Sequence, residues 1–108
     1  MTGARMRVGV SARGVEVDDG MGGVVAPWAD VDRVTAFALD AVARVARYVS
    51  FDLVDGHSVE VDDAAPEWGE VVAALPEHVE LAVEDLPVAL DALAPGERLV
   101  VAAPVRAR

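Results

Sequence analysis

Residues 27–63 read PWADVDRVTAFALDAVARVARYVSFDLVDGHSVEVDD, and this stretch decides the fold. It opens with Trp28, Val31 and Val34 at three-residue spacing. This spacing predicts a single helical turn that lays one side on a core, because residues three apart share a helix face. We therefore expect a buried Trp28 ring to anchor the start of the segment.

Strand-like segments follow the tryptophan. The first runs through Thr35, Phe37 and Leu39. The second has two faces, with Val45, Val49, Phe51 and Leu53 on one and Tyr48, Ser50 and Asp52 on the other. Asp55-Gly56 matches a two-residue turn that fits the twist of paired strands. Val59 and Val61 are therefore expected to return antiparallel to the second strand.

The upstream residues predict a first hairpin and a short third strand. Apolar and polar residues alternate in both arms of the hairpin, whose apolar positions are Val8, Val10, Val15 and Val17. Arg13-Gly14 forms the turn between them. Val24 and Val25 predict a short strand that ends at Pro27.

Beyond Asp63 the apolar period changes from two to 3.6 residues. One apolar stripe is formed by Trp68, Val71, Val72 and Leu75. It predicts one principal amphipathic helix over about residues 64–75, with Asp63 as its cap, Pro66 in its first turn and Pro76 at its end. Trp68 is expected to be a core residue.

The last third of the chain gives weaker patterns. Alternation at Val79, Leu81 and Val83 is typical of a strand. Leu86, Leu90 and Leu93 share a helical face after Pro87, and Pro95-Gly96 turns into an apolar segment. With 108 residues the chain is expected to form one domain over residues 1–108, of the α+β class and mainly antiparallel sheet.

Charge is distributed unevenly along the chain. Residues 1–47 carry six acids and six arginines, whereas residues 48–97 carry thirteen acids and no arginine or lysine. An acidic surface repels nucleic-acid phosphates and anionic membranes, so neither is expected as a partner. With no apolar run long enough for a membrane helix and no signal-peptide pattern, a cytoplasmic location is expected.

No catalytic or metal-binding pattern is present in the sequence. Cysteine is absent, and His57 and His78 lie in contexts where histidine ordinarily faces solvent. Glu60, Asp62 and Asp63 lack the spacing of a calcium loop, so we interpret them as structural acids. No enzymatic activity, metal or cofactor is therefore expected.

The order of these motifs resembles the small bacterial pleckstrin-homology-like (PH-like) domains. The resemblance covers about residues 6–76 and depends on WADVDRVTAF, FDLVDG, VEV and PEWGEVVAALP, which are similar to a group of short uncharacterised bacterial proteins. It implies a bent or split antiparallel barrel closed by the helix, with residues 77–108 as a C-terminal extension, acting as a binding scaffold. The charged stretch expected after the turn is replaced here by Ala38, Leu39 and Asp40.

Three function classes follow. The first is a small non-enzymatic protein-interaction domain. The second is an acidic immunity- or antitoxin-like inhibitor of a basic partner, in which clustered carboxylates mimic nucleic acid. The third is a small-molecule or lipid binder that uses an apolar pocket between barrel and helix. Any macromolecular partner is expected to be a basic protein, and the candidate binding residues are Glu77, Glu80, Glu84 and Asp85.

Overall fold

Two antiparallel sheets and a helical layer make up the fold. The computed structural model describes residues 7–18, 20 and 22–103, and the elements below are those of the described residues. In chain order they are β1 (Arg7–Val10), β2 (Gly14–Asp18), β3 (Gly23–Pro27), a 3-10 turn (Trp28–Asp30), β4 (Val31–Asp40), β5 (Val45–Leu53), β6 (Ser58–Asp62), α1 (Trp68–His78), α2 (Leu86–Asp91) and β7 (Arg98–Ala102). The first three strands form one sheet, and the second sheet has the order β6-β5-β4-β7.

The first sheet confirms the predicted hairpin and the short third strand, but the connection of the hairpin is residues 11–13, because Gly14 of the expected Arg13-Gly14 turn already belongs to β2. Val8 pairs with Val17 and Val10 with Val15, so the apolar side chains of β1 and β2 share one face. Gly14 lets β3 approach closely, because a side chain at this position would collide with the carbonyl oxygen of Ala26. The backbones of β2 and β3 therefore lie unusually close together at Gly14.

The tryptophan-led turn is shorter than the spacing predicts. Only Trp28–Asp30 are helical, and β4 begins at Val31, although Val31 and Val34 are buried as expected. The Trp28 side chain is only 7% exposed, and its indole N–H donates a hydrogen bond of 2.9 Å to the Ser11 carbonyl. The prediction that a buried Trp28 ring anchors this segment in the core is therefore confirmed.

The second sheet has an inner face on the core and an outer face away from it. Val34, Ala36, Ala38, Val49, Phe51, Val59 and Val61 form the buried inner face. The outer face carries Thr35, Phe37, Leu39, Ala46, Tyr48, Ser50, Glu60, Asp62, Arg98 and Val100. The predicted two-faced pattern of β5 is confirmed.

The hairpin between β5 and β6 is confirmed, but its turn has three residues rather than two. The Leu53 N–H bonds to the His57 carbonyl at 2.7 Å, which leaves residues 54–56 as the loop. Gly56 has a φ of 94°, the left-handed conformation that commonly closes a three-residue loop. The expectation of a two-residue Asp55-Gly56 turn is therefore wrong.

The principal helix begins and ends later than the sequence predicts. Turns occupy residues 63–67, and α1 runs from Trp68 to His78 instead of 64–75. Asp63 is not the cap, because its carboxylate pairs with Arg44. Pro76 lies inside the helix, close to its end. The helix tolerates proline there because the missing N–H removes one hydrogen bond and leaves most of the others in place.

The C-terminal segment is part of the core. β7 pairs with β4, and Leu86, Leu90 and Leu93 are buried as their shared helical spacing predicts. The alternation at residues 79–83 does not form a strand; these residues form an irregular segment with bends, and the Ala82 N–H bonds to the Val101 carbonyl at 2.7 Å. Residues 77–103 therefore complete the second sheet and the helical layer.

The α+β class and the predominance of antiparallel strands are confirmed. Neither sheet closes into a barrel within the described residues. In the same part of the chain, no helix is long and apolar enough to cross a bilayer.

Candidate interaction site

An apolar groove lies between the two helices. Burial of Val71, Val72 and Leu75 fixes one side of α1 on the core, and burial of Leu86 and Leu90 does the same for α2. The groove between them has a volume of about 290 Å³. Its walls are formed by Trp68, Gly69, Val72, Ala73, Pro87, Leu90 and Asp91. One carboxylate therefore borders a mainly apolar depression.

Trp68 supplies the largest side chain of this groove. The sequence predicts a core residue, but the ring is only partly buried and packs against the core without lying inside it. The reason is that α1 starts at Trp68, so the ring lies at the end of the helix, while Trp28 occupies the core with its ring 6.0 Å from that of Phe51. The expectation that Trp68 is a core residue is therefore met only in part, because the ring packs against the core without being enclosed in it.

The predicted partner-binding acids lie along the connection from α1 to α2. Glu77 is exposed in the last turn of α1, and Glu80 and Glu84 are exposed in the connection. Asp85 is exposed too, but its side chain accepts the Val88 N–H at 3.2 Å and caps α2. Asp85 therefore has a structural role in addition to any role in binding.

Part of the acidic segment is neutralised by arginines from the first half of the chain. Arg44 contacts Asp63 at 2.7 Å and Asp62 at 3.3 Å, and Arg7 contacts Glu67 at 3.8 Å. The hydrogen bond to Asp63 raises the pKa of the Arg44 guanidinium above its usual value. These acids form intramolecular ion pairs, in agreement with the structural role expected for Asp62 and Asp63 from the sequence.

The two histidines have different surroundings. His57 is exposed and its ring nitrogen lies 3.1 Å from the Asp55 carboxylate. His78 is half-buried, with its ring stacked 4.4 Å from that of Trp28, so the expectation that it faces solvent is wrong. Among the described residues, no group of three or more acids and histidines is arranged to hold a metal ion.

Sequence reasoning missed the outer face of the second sheet as a candidate surface. The Phe37 and Tyr48 rings stack with centroids 5.0 Å apart, and the Arg98 guanidinium lies 5.2 Å from the Phe37 centroid. Leu39 and Val100 on the same face are 48% and 49% exposed. The available signal is the apolar character of residues 34–39 at nearly every position, which is typical of a strand covered on both sides.

Comparisons with protein-family models, with curated proteins and with solved structures found no match to this chain.

Proposed function

We propose that this chain is a non-enzymatic protein-interaction domain whose helical groove takes an apolar side chain from a basic partner. The observation that carries the proposal is the partly buried Trp68 ring, which lines an apolar groove within an acidic segment. Aromatic rings that line a depression are frequent anchors of protein interfaces, because they bury a large area with few rotatable bonds.

The open shape of the groove favours a protein side chain over a small molecule. Pockets for drug-sized ligands usually measure about 300–1,000 Å³ and enclose most of the ligand. The groove, at about 290 Å³, lies at the lower end of that range and is open between the two helices. It suits one or two apolar side chains of a segment that lies across α1 and α2.

Electrostatics favour a basic partner. Asp91 lines the groove, and Glu84 and Asp85 precede Pro87, which forms part of its wall. Residues 48–97 contain no arginine or lysine to offset these carboxylates from within the segment. Charges at the rim of an interface mainly accelerate encounter, so we expect the acids to steer a cationic segment and the groove to hold it.

The PH-like resemblance remains a hypothesis about the scaffold. Two open sheets with a helical layer are compatible with a split form of that fold, and a binding role agrees with the proposal. The groove lies between α1 and α2, whereas the resemblance implies a barrel closed by one helix.

Calorimetry with two model peptides tests the proposal. One is an amphipathic peptide of about three helical turns with leucine anchors and lysines, and the other replaces each lysine with glutamate. We expect the basic peptide to bind and to weaken as salt shortens the Debye length from about 10 Å at 0.1 M to about 3 Å at 1 M. Equal binding of both peptides, or of neither, would contradict the proposal.

Variants of the chain test whether the basic peptide binds in the helical groove. Trp68→Ser should lower the affinity for the basic peptide about tenfold or more, and Trp68→Phe should retain most of it. Val88→Ser is the matched control, because Val88 is an exposed apolar residue of α2 outside the groove. Glu77→Arg with Glu84→Arg should slow association more than it speeds dissociation. An unchanged affinity in Trp68→Ser would exclude the groove.

A further inference from the structure

The outer face of the second sheet is a surface of aromatic, aliphatic and charged residues that is independent of the helical groove. Neither Phe37 nor Tyr48 belongs to the core or packs against it. Arg47 extends from the opposite side of the sheet to the carbonyls of Asp91 and Leu93 at the end of α2, so the helical layer lies on the inner side. The outer face therefore remains uncovered by the helices.

One row of side chains crosses this face with a definite chemical order. Arg98 on β7 pairs with Phe37 on β4, Phe37 with Tyr48 on β5, and Tyr48 with Asp62 on β6. Paired residues of antiparallel strands point to the same side. The row therefore reads cation, aromatic, aromatic, anion from one edge of the sheet to the other.

We propose that this face binds a second copy of the same chain, giving a two-fold symmetric dimer with the two sheets packed face to face. A two-fold axis parallel to the strands sets β7 of one copy over β6 of the other and β4 over β5. Arg98 then faces Asp62 of the second copy at both ends of the row. Phe37 faces Tyr48 of the second copy beside the axis.

The chemistry of the row fits this occupant. Asp62 contacts Arg44 and the Ala64 N–H through one carboxylate oxygen, and a carboxylate accepts hydrogen bonds at both oxygens. The stacked rings and the guanidinium already hold one another in place, which reduces the entropy lost on association. Residues 34–39 then gain the cover on both sides that their composition indicates.

The size of the face predicts a weak dimer. Its strands have ten, nine, five and five residues. At about 3.3 Å per residue and about 4.8 Å between strands, they span roughly 450 Å² before side-chain relief is counted. Standard stable interfaces bury about 800 Å² per partner, so the dimer should dissociate on dilution.

Sedimentation equilibrium of the full chain between about 10 μM and about 1 mM tests the dimer. We expect the apparent mass to rise from that of one chain toward that of two. Tyr48→Glu places like charges beside the axis and should keep the mass of one chain throughout. Val88→Glu is the control, because Val88 is 62% exposed on α2, and should associate as the wild type does. A wild type that stays monomeric, or a Tyr48→Glu variant that still associates, would overturn the proposal.

A charge exchange tests the predicted pairing itself. Arg98→Glu and Asp62→Arg should each weaken self-association about tenfold or more, because like charges then meet at both ends of the row. Mixing the two variants should restore association as a heterodimer, measured by native mass spectrometry with one chain tagged. Failure of the mixture to associate would refute this orientation. If Asp62→Arg unfolds, Tyr48→Glu and its control decide the question.

The two proposed surfaces can fail separately. Tyr48→Glu should leave the affinity of the helical groove for the basic peptide unchanged, and Trp68→Ser should leave sedimentation unchanged. Loss of both properties in either variant would indicate unfolding, which circular dichroism detects directly.

Discussion

The inner and outer faces of the second sheet are built from the same strands but carry different chemistry. In β4 the inner positions include the small residues Ala36 and Ala38, and the outer positions include the larger Phe37 and Leu39. The small residues are buried because register places them beside the apolar inner face of β5, where Ala36 pairs with Val49. Cross-strand partners therefore decide which face of an apolar strand is buried, and side-chain size within one strand does not.

The largest expected difference in the free energy of unfolding is between substitutions of the two phenylalanines, one on each face. Phe51→Ala should lower the free energy of unfolding by about 3–5 kcal/mol, because it leaves a cavity in the core. Phe37→Ala should cost about 1 kcal/mol, since the ring is half-buried and its main contact is the stack on Tyr48. Urea denaturation in dilute solution measures both. Equal costs for the two substitutions would contradict the assignment of the faces.

The arginines of the two faces provide the next comparison. Arg47 donates to the carbonyls of Asp91 and Leu93 at 3.1 and 3.2 Å, so it ties the end of α2 to the sheet. Arg47→Met should cost about 1–3 kcal/mol, because these carbonyls lose their partner. Arg98→Met should cost less than about 1 kcal/mol, because it removes a cation above a partly exposed ring. The reverse order in urea denaturation would show that the inner arginine does not hold α2.

Much of the fold can be predicted from the sequence, because local chemistry determines it. Alternation defines β1, β2, β5 and β6, and the Asp-Gly pair marks the hairpin between β5 and β6. The start of α1 cannot be read this way. Asp62 binds the Ala64 N–H and Asp63 pairs with Arg44, so tertiary contacts hold residues 63–67 in turns although their composition suits a helix start.

The candidate surfaces depend on contacts that sequence spacing does not reveal. The spacing places Trp68 on the buried stripe of α1, but the groove exists because α2 packs beside α1. The row across the outer face combines residues from β4, β5, β6 and β7, and β7 is the strand that the sequence did not predict. Long-range register therefore creates both surfaces.

A smaller difference in the free energy of unfolding is expected between substitutions of two serines that donate to the same carboxylate oxygen. Ser50 on the outer face is only 5% exposed and donates to the Asp52 carboxylate at 3.0 Å, and the exposed Ser58 donates to the same oxygen at 2.8 Å. Ser50→Ala should cost about 0.5–1.5 kcal/mol, because the buried hydroxyl contact is lost. Ser58→Ala should cost about 0.5 kcal/mol or less, since water replaces an exposed partner. Thermal unfolding compares them, and a larger cost for Ser58→Ala would mean that the outer face does not bury Ser50.

The smallest effect on stability is expected at the exposed hairpin that joins β5 and β6. The pKa of Asp55 is lowered from its usual value of 3.8, first by the backbone N–H of His57 and then by the His57 side chain. Because the pKa is lower in the folded chain than in the unfolded chain, the contribution of Asp55 to stability is complete above about pH 5 and is lost as the pH falls through the folded value. An NMR titration of the carboxyl carbon should show protonation below pH 3.8 in the wild type. His57→Ala keeps the backbone donor and should retain most of the depression, so a return of the pKa to its unfolded value in this variant would make the imidazole, instead of the turn, the main cause.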